Sequence, residues 1–419
     1  MHEDTRQRLN RILNILVIVL AFSIPLYRKW VSIAAPIIMI LWFAEGRLPD
    51  KLAALKTHRL TLAAAVFAGF ALLSVAWSGD RLAGLGYVDK YRYLLLIPML
   101  ATALRPETRR RAELAFLVGT ALSVLVSWAV FLDLIRLRDA YPGNPAPSMS
   151  HLDYSMVLAV AGLMVLAGLL SARRPSAARI GLGALLVLIL SGLAINIGRS
   201  GQIAFVGAAV VIVPLILSPR SWRAAAAGLA GVILFFATSY AAVEPLRQRL
   251  SEGVAEFEAA VVGGDYGSNQ GKRVAGAIVA LDMARQRPLL GTGVGGTMDQ
   301  FRQILERDHP ELAEAVAWFP HLHNQYLQTL AETGLVGLVT LLAMMAALAT
   351  GPYPAAEDRH LAVILTLVYL LGFLGDPFLH KQIPLVLFAT MAGMASARGR
   401  SLAEVTPRSD GSAGRLGDS

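Results

Sequence analysis

The chain has 419 residues, 55% of them hydrophobic and 16% charged, where an ordinary soluble domain is about 25% charged. With a mean hydropathy of +0.56, this excludes a single soluble globule, a disordered chain and a disulfide-stapled secreted domain, and it predicts an all-α polytopic membrane protein. The net charge is +9. In a soluble protein such an excess would suggest nucleic acid, but here it falls in loops beside apolar spans, where it orients the chain and meets anionic lipid. There is no cysteine, so disulfides, thiolate nucleophiles and Cys-ligated metals are excluded.

In chain order, an apolar run at 12–26 follows Arg6, Arg8 and Arg11. It has no small-x-small cleavage site and more spans follow, so it reads as an uncleaved first span. Further spans are predicted at 31–44, 60–77, 88–104, 113–132, 152–170, 180–197, 201–217, 224–243, 326–349, 361–374 and 383–397, about twelve in all. Arg92 and Pro98 interrupt the fourth. An even number puts both termini on one side. Short segments on that side carry 21 Lys and Arg, those opposite carry 9, and the remaining 8 lie in the long segment 244–322. The positive-inside rule then assigns both termini to the cytoplasm and the long segment to the outside, the periplasm of a Gram-negative cell. The expected division is spans one to nine over 1–243, a periplasmic loop domain over 244–322, spans ten to twelve over 323–399, and a polar, disordered cytoplasmic tail over 400–419.

Within the long segment, helical spacing covers 244–262 and 272–285, and a third helix is expected at 298–307. Residues 288–296 read PLLGTGVGG. This looks like a phosphate loop, but it follows no strand and has no Walker lysine, which argues against an ATP site. A tight turn that lets the backbone approach the membrane is the better reading.

Three groups of residues could carry chemistry. His321 and His323 open the tenth span. Histidine is suited to moving protons near neutral pH, and the positive end of a helix keeps the ring neutral; an interfacial cap is the plainer reading. Two His at i and i+2 do not share a helical face, so a two-His metal site on that helix is not expected. Arg199 sits in a short turn between two apolar spans, where it could hold phosphate by a forked contact or simply reach lipid headgroups. Lys272, Arg273, Arg285 and Arg287 form a basic set that a solvated loop would also explain. No DxD or paired-carboxylate motif appears, and Glu332 is the main mid-span charge. Sparse midplane charge, and a long connection after span nine rather than span six, count against a twelve-span transporter.

The order of Arg199, Lys272-Arg273, the PLLGTG stretch, and HNQYLQTLAETGLVG over 323–337 resembles the O-antigen ligase and O-antigen polymerase superfamily of bacterial envelope glycosyltransferases. The His-Asn-x-x-Leu stretch running into Glu-x-Gly-Leu-x-Gly is the most specific part, and the specific match covers about a quarter of the chain. The resemblance implies a twelve-span inner-membrane fold with one large periplasmic loop. It implies inverting, metal-independent transfer of O-antigen polysaccharide from undecaprenyl pyrophosphate to a sugar hydroxyl of lipid A core, in lipopolysaccharide biosynthesis. The family's essential His corresponds to His323 and its essential arginines to Arg199 and Arg273. Arg287 and Asp376 correspond as well. Together with Lys272, His321, Asn324 and Tyr326 they make up the expected substrate-binding set. No metal or cofactor is expected. The nearest alternatives are an O-antigen polymerase or a protein O-oligosaccharyltransferase, which share donor and fold and differ in acceptor.

Overall fold

A computed structural model describes residues 3–171, 176–217, 221–242, 244–353 and 355–397. The tail expected to be disordered, 400–419, lies outside the described residues. Among those described there is no strand, only two isolated bridges in the 137–144 loop.

The helices are α1 Glu3–Ser23, α2 Arg28–Ala44, α3 Leu48–Leu55, α4 Arg59–Ser74, α5 Arg81–Asp89, α6 Leu96–Ala103, α7 Pro106–Phe131, α8 His151–Leu170 and α9 Ser176–Ile195. They continue as α10 Arg199–Leu217, α11 Trp222–Ala242, α12 Glu244–Gly263, α13 Asn269–Gln286, α14 Thr297–Asp308, α15 Ala313–Val316, α16 Gln325–Ala349, α17 Ala356–Gly372 and α18 Gln382–Ala395. Among described residues, six helices (the α4 unit, α7, α8, α9, α10 and α16) are long and apolar enough to cross a membrane. There are seven if α2 and α3, bent by 110° at their junction, count as one span. Several other predicted spans coincide with helices that are charged, broken or short, while 224–243 coincides with the continuous 21-residue α11. The first half of α1 carries three arginines. The stretch at 88–104 divides into a 3-10 turn, Lys90–Leu95, followed by the eight-residue α6. α18 has only 14 residues.

The core forms where helices are apolar on every side. From Ile383 to Ala395 every residue of α18 is buried. α8 is nearly as enclosed, and Gly162 on it leaves room for the Phe205 ring of α10. The long segment has a second core. Ala275, Val279 and Met283 recur every fourth residue on α13 and pack with Phe301, Ile304 and Leu305 of α14, then Val316 and Phe319. Ala331 of α16 joins this cluster, so the loop helices are seated on a spanning helix.

α16 is not continuous. Gly334 has φ 65° and ψ −164°, which breaks the helix. A break at membrane depth must have its freed backbone groups satisfied by protein, and the 288–296 stretch does this. Leu335 N–H donates to the Pro288 carbonyl at 2.8 Å, Thr292 N–H to Ala331 at 2.9 Å, and Gly293 N–H to Glu332 at 2.8 Å. Gly291, Gly293 and Gly295 all have positive φ. Their missing side chains admit the backbones of α16 and of the 74–84 segment, which a Cβ would strike at under 3 Å. The tight turn is there, but what its backbone approaches is α16 and the 74–84 segment, so it is a splice between three segments of protein.

Candidate active site

Two short loops meet above α16: residues 320–324 before it, and residues 373–381 between α17 and α18. Asn324 caps α16, its Oδ1 accepting from Tyr326 and Leu327 N–H at 2.9 and 3.1 Å. An N-cap residue is extended, as Asn324 is, and the chain turns sharply just before it. His323 accordingly takes a left-handed backbone, φ 51°, a conformation that costs a non-glycine residue energy and concentrates at functional sites. Gln325 ties the second loop down. Its N–H donates to the Phe373 carbonyl at 2.8 Å, and its Oε1 accepts from Leu379 N–H at 2.9 Å.

The result is a cluster of His321, His323 and Asp376. Nδ1 of His323 lies 3.6 Å, and Nδ1 of His321 3.7 Å, from Oδ1 of Asp376, whose side chain is 0% exposed. His323 Nδ1 and Asp376 Oδ1 are both buried without a hydrogen bond. The other carboxylate oxygen accepts from Lys381, which also faces Asp153 at 3.6 Å. Burial alone would push Asp376 up, but His323, Lys381 and His321 outweigh it and hold its pKa at about 2. His321 goes the other way: burial lowers it to about 3, against the pull of Asp376. It is therefore neutral at pH 7. Its Nδ1 already accepts from His323 N–H at 3.3 Å. The remaining nitrogen of a neutral ring must carry the proton, so His321 has no free lone pair to act as a base. Placing Nδ1–H of His323 toward Asp376 leaves that ring a free lone pair on Nε2.

Two arginines stand near the same loop. Arg273 Nη1 donates to the Gly375 carbonyl at 2.7 Å, next to Asp376. Burial pushes Arg273 below its ordinary value, Asp376 pulls it back, and Arg199 lowers it again, so the three charges share one neighbourhood. Arg199 opens α10 and lies across Gly253 of α12, where a Cβ would come within 2.5 Å of its guanidinium. Beside His321 opens a cavity of about 660 Å³, lined by Arg28, Lys90, Asp153, His380 and Lys381 among others.

Other expected site residues stand apart. Lys272 lies 5.6 Å from the Trp318 ring. Arg287 is exposed at the C-cap of α13, fourteen residues and therefore about 21 Å along the axis from Arg273. Asn324 and Tyr326 make backbone contacts: a helix cap, and a 2.6 Å hydrogen bond to the Leu370 carbonyl. Lys381, Asp153, His380 and Gln328 were not singled out from sequence. The polar run DPFLHKQ over 376–382, between two apolar spans, was the available signal for two of them.

Ligand atoms of His321, His323 and Asp376 lie within 4.8 Å of one another, a spacing that could hold a metal ion. The Lys381 ammonium on Asp376 and the neighbouring Arg273 work against a divalent cation there.

No curated protein matches the chain. A family comparison does: the matched stretch carries Arg199, Arg273, His321 and His323, while Asp376 and Lys381 lie beyond it. Residues 184–342 match the family model described as O-antigen ligase, the superfamily that the sequence resembles.

Proposed function

We propose that the chain is an O-antigen ligase, an inverting glycosyltransferase that moves O-antigen polysaccharide from undecaprenyl pyrophosphate to a sugar hydroxyl of lipid A core. The observation that carries this reading is the approach of Arg273, with Arg199 beside it, to the pairing of a half-buried His323 with a buried Asp376. A sugar hydroxyl is a weak nucleophile, and a base that takes its proton during attack removes that handicap. His323 takes the proton on Nε2 as the hydroxyl oxygen bonds to the anomeric carbon. Asp376 stabilises the resulting imidazolium across a gap that a water or a small closure can bridge. On the opposite face the bond from the anomeric carbon to the pyrophosphate oxygen breaks, and the electron pair leaves with the pyrophosphate. Arg199 and Arg273 stabilise the charge that builds there, which is the task a metal performs in other transferases with a phosphate leaving group. Lys272 and Arg287 belong to the outer basic surface that draws anionic substrates.

The reading places about twelve helical passes in the inner membrane, both termini in the cytoplasm and 244–322 in the periplasm, supported by the 21 to 9 bias of basic residues. Arg199, Asp153 and Lys381 all sit at helix ends that this orientation puts outside. A periplasm-active reporter fused after Gly264 is expected to be active, and an inactive one overturns the orientation. The activity itself is tested by adding the purified chain to a lipid-linked O-antigen and lipid A core. Polysaccharide joined to the core is the expected product. Longer lipid-linked polymer with no core product would mean a polymerase instead.

A further inference from the structure

Glu332 is the one charged residue of α16, 4% exposed, and the reaction above makes no use of it. Burying a charge is costly, and a well-packed apolar residue in its place is often neutral or stabilising. What the carboxylate holds is therefore informative. Gln328 Nε2 donates to Glu332 Oε1 at 2.7 Å, and Gln328 Oε1 accepts from Leu322 N–H at 2.8 Å. Leu322 is the residue between the two histidines. Glu332 Oε2 faces His380 Nε2 at 3.3 Å, and the Tyr91 hydroxyl reaches the same nitrogen at 3.0 Å. His380 lies in the loop that carries Asp376 and Lys381. One buried side chain thus reaches both halves of the cluster through a single partner each.

Donor and acceptor roles allow one consistent arrangement with an ionised Glu332. The Gln328 oxygen is fixed by the Leu322 amide, so its NH₂ must face the carboxylate, and His380 presents Nε2–H to the other oxygen. Low dielectric strengthens such a chain and makes a missing member costly. The Leu322 amide is also one of the anchors beside the left-handed turn at His323, which must be held against its own strain.

We propose that Glu332, through Gln328 and His380, is a positioning residue that sets the His323 ring against Asp376 for the transfer step, without touching substrate. This rests on the base role given to His323. Glutamine at 332 can accept from Gln328 and donate to His380 in its other tautomer, so the chain survives. Leucine cannot, and it leaves the Gln328 NH₂ unpaired. Misplacing a catalytic group by an ångström can cost on the order of 10²-fold.

The test measures transfer by the purified full-length chain. Glu332→Leu is expected to lower kcat by about 10–100-fold with KM for the lipid-linked donor within about twofold, and Glu332→Gln to restore most of it. Gln328→Leu should act alike, and the double variant should be no worse than either single one, since both cut one chain. If Glu332→Leu does not accumulate, Gln328→Met severs the same link. Unchanged kcat in a folded Glu332→Leu, equal damage from Gln and Leu, or additive losses would each overturn the proposal. His323→Ala is run alongside. If it stays active, the base assignment itself fails; if it is dead while Glu332→Leu is active, only the positioning role fails.

Discussion

His323→Ala is expected to lower transfer by about 10²–10⁴-fold, the usual range for losing a general base, with the protein still in the membrane at its normal level. The level should hold because His323 Nδ1 makes no hydrogen bond, while its neighbours Leu322 and Asn324 carry the anchoring bonds. His321→Ala should be milder. Burial keeps His321 neutral down to about pH 3, and its Nδ1 is engaged by the His323 amide, so it shapes the turn instead of taking the proton. Equal losses from the two, measured as core-attached polysaccharide per unit of membrane protein, would contradict the assignment. The partner carboxylate adds a pH expectation. Asp376 is depressed to about 2, below its unfolded value of about 3.9. Its contribution to stability is therefore present above that unfolded value and disappears only as pH falls through about 2. Loss of activity between pH 7 and 5 must then come from another group than Asp376.

Replacing Arg273 with alanine is expected to cost about 10²–10³-fold in kcat, the range for removing one preorganised donor from developing charge. Lysine should rescue it poorly. Arg273 spends one N–H on the Gly375 carbonyl at 2.7 Å, and the planar guanidinium keeps further donors in fixed directions, which an ammonium cannot do. The same ordering, Arg over Lys over Ala, is expected at Arg199. The measurement is transfer rate against lipid-linked donor concentration for each variant. Full activity in Arg273→Lys would reduce its role to simple charge.

Helix positions were legible because hydrophobic runs and their periodicity are local. The helices expected at 244–262, 272–285 and 298–307 appear as α12, α13 and α14 within a few residues. The break in α16 was not legible. Gly334 reads as one more small residue in an apolar stretch, and only the insertion of residues 288–296, some forty residues away in sequence, makes its left-handed backbone tenable. The site divides the same way. His323, Arg199 and Arg273 stand in or beside motif-like turns, and the fold brings them to one neighbourhood. Asp153 could not be found locally, because its ion pair with Lys381 joins the start of α8 to the start of α18 and leaves no spacing in sequence. Arg287 shows the opposite error. It stands near a motif in sequence, like Arg273, yet the length of α13 separates the two.

In the proposed mechanism His323 acts as base and arginines stand in place of a metal. The most direct measurement is transfer from lipid-linked O-antigen to lipid A core by the purified chain in excess EDTA. The arrangement of Lys381 and Arg273 about Asp376 predicts undiminished product. Activity lost in EDTA and restored by Mg²⁺ or Mn²⁺ would contradict it, and would assign His321, His323 and Asp376 to a metal instead.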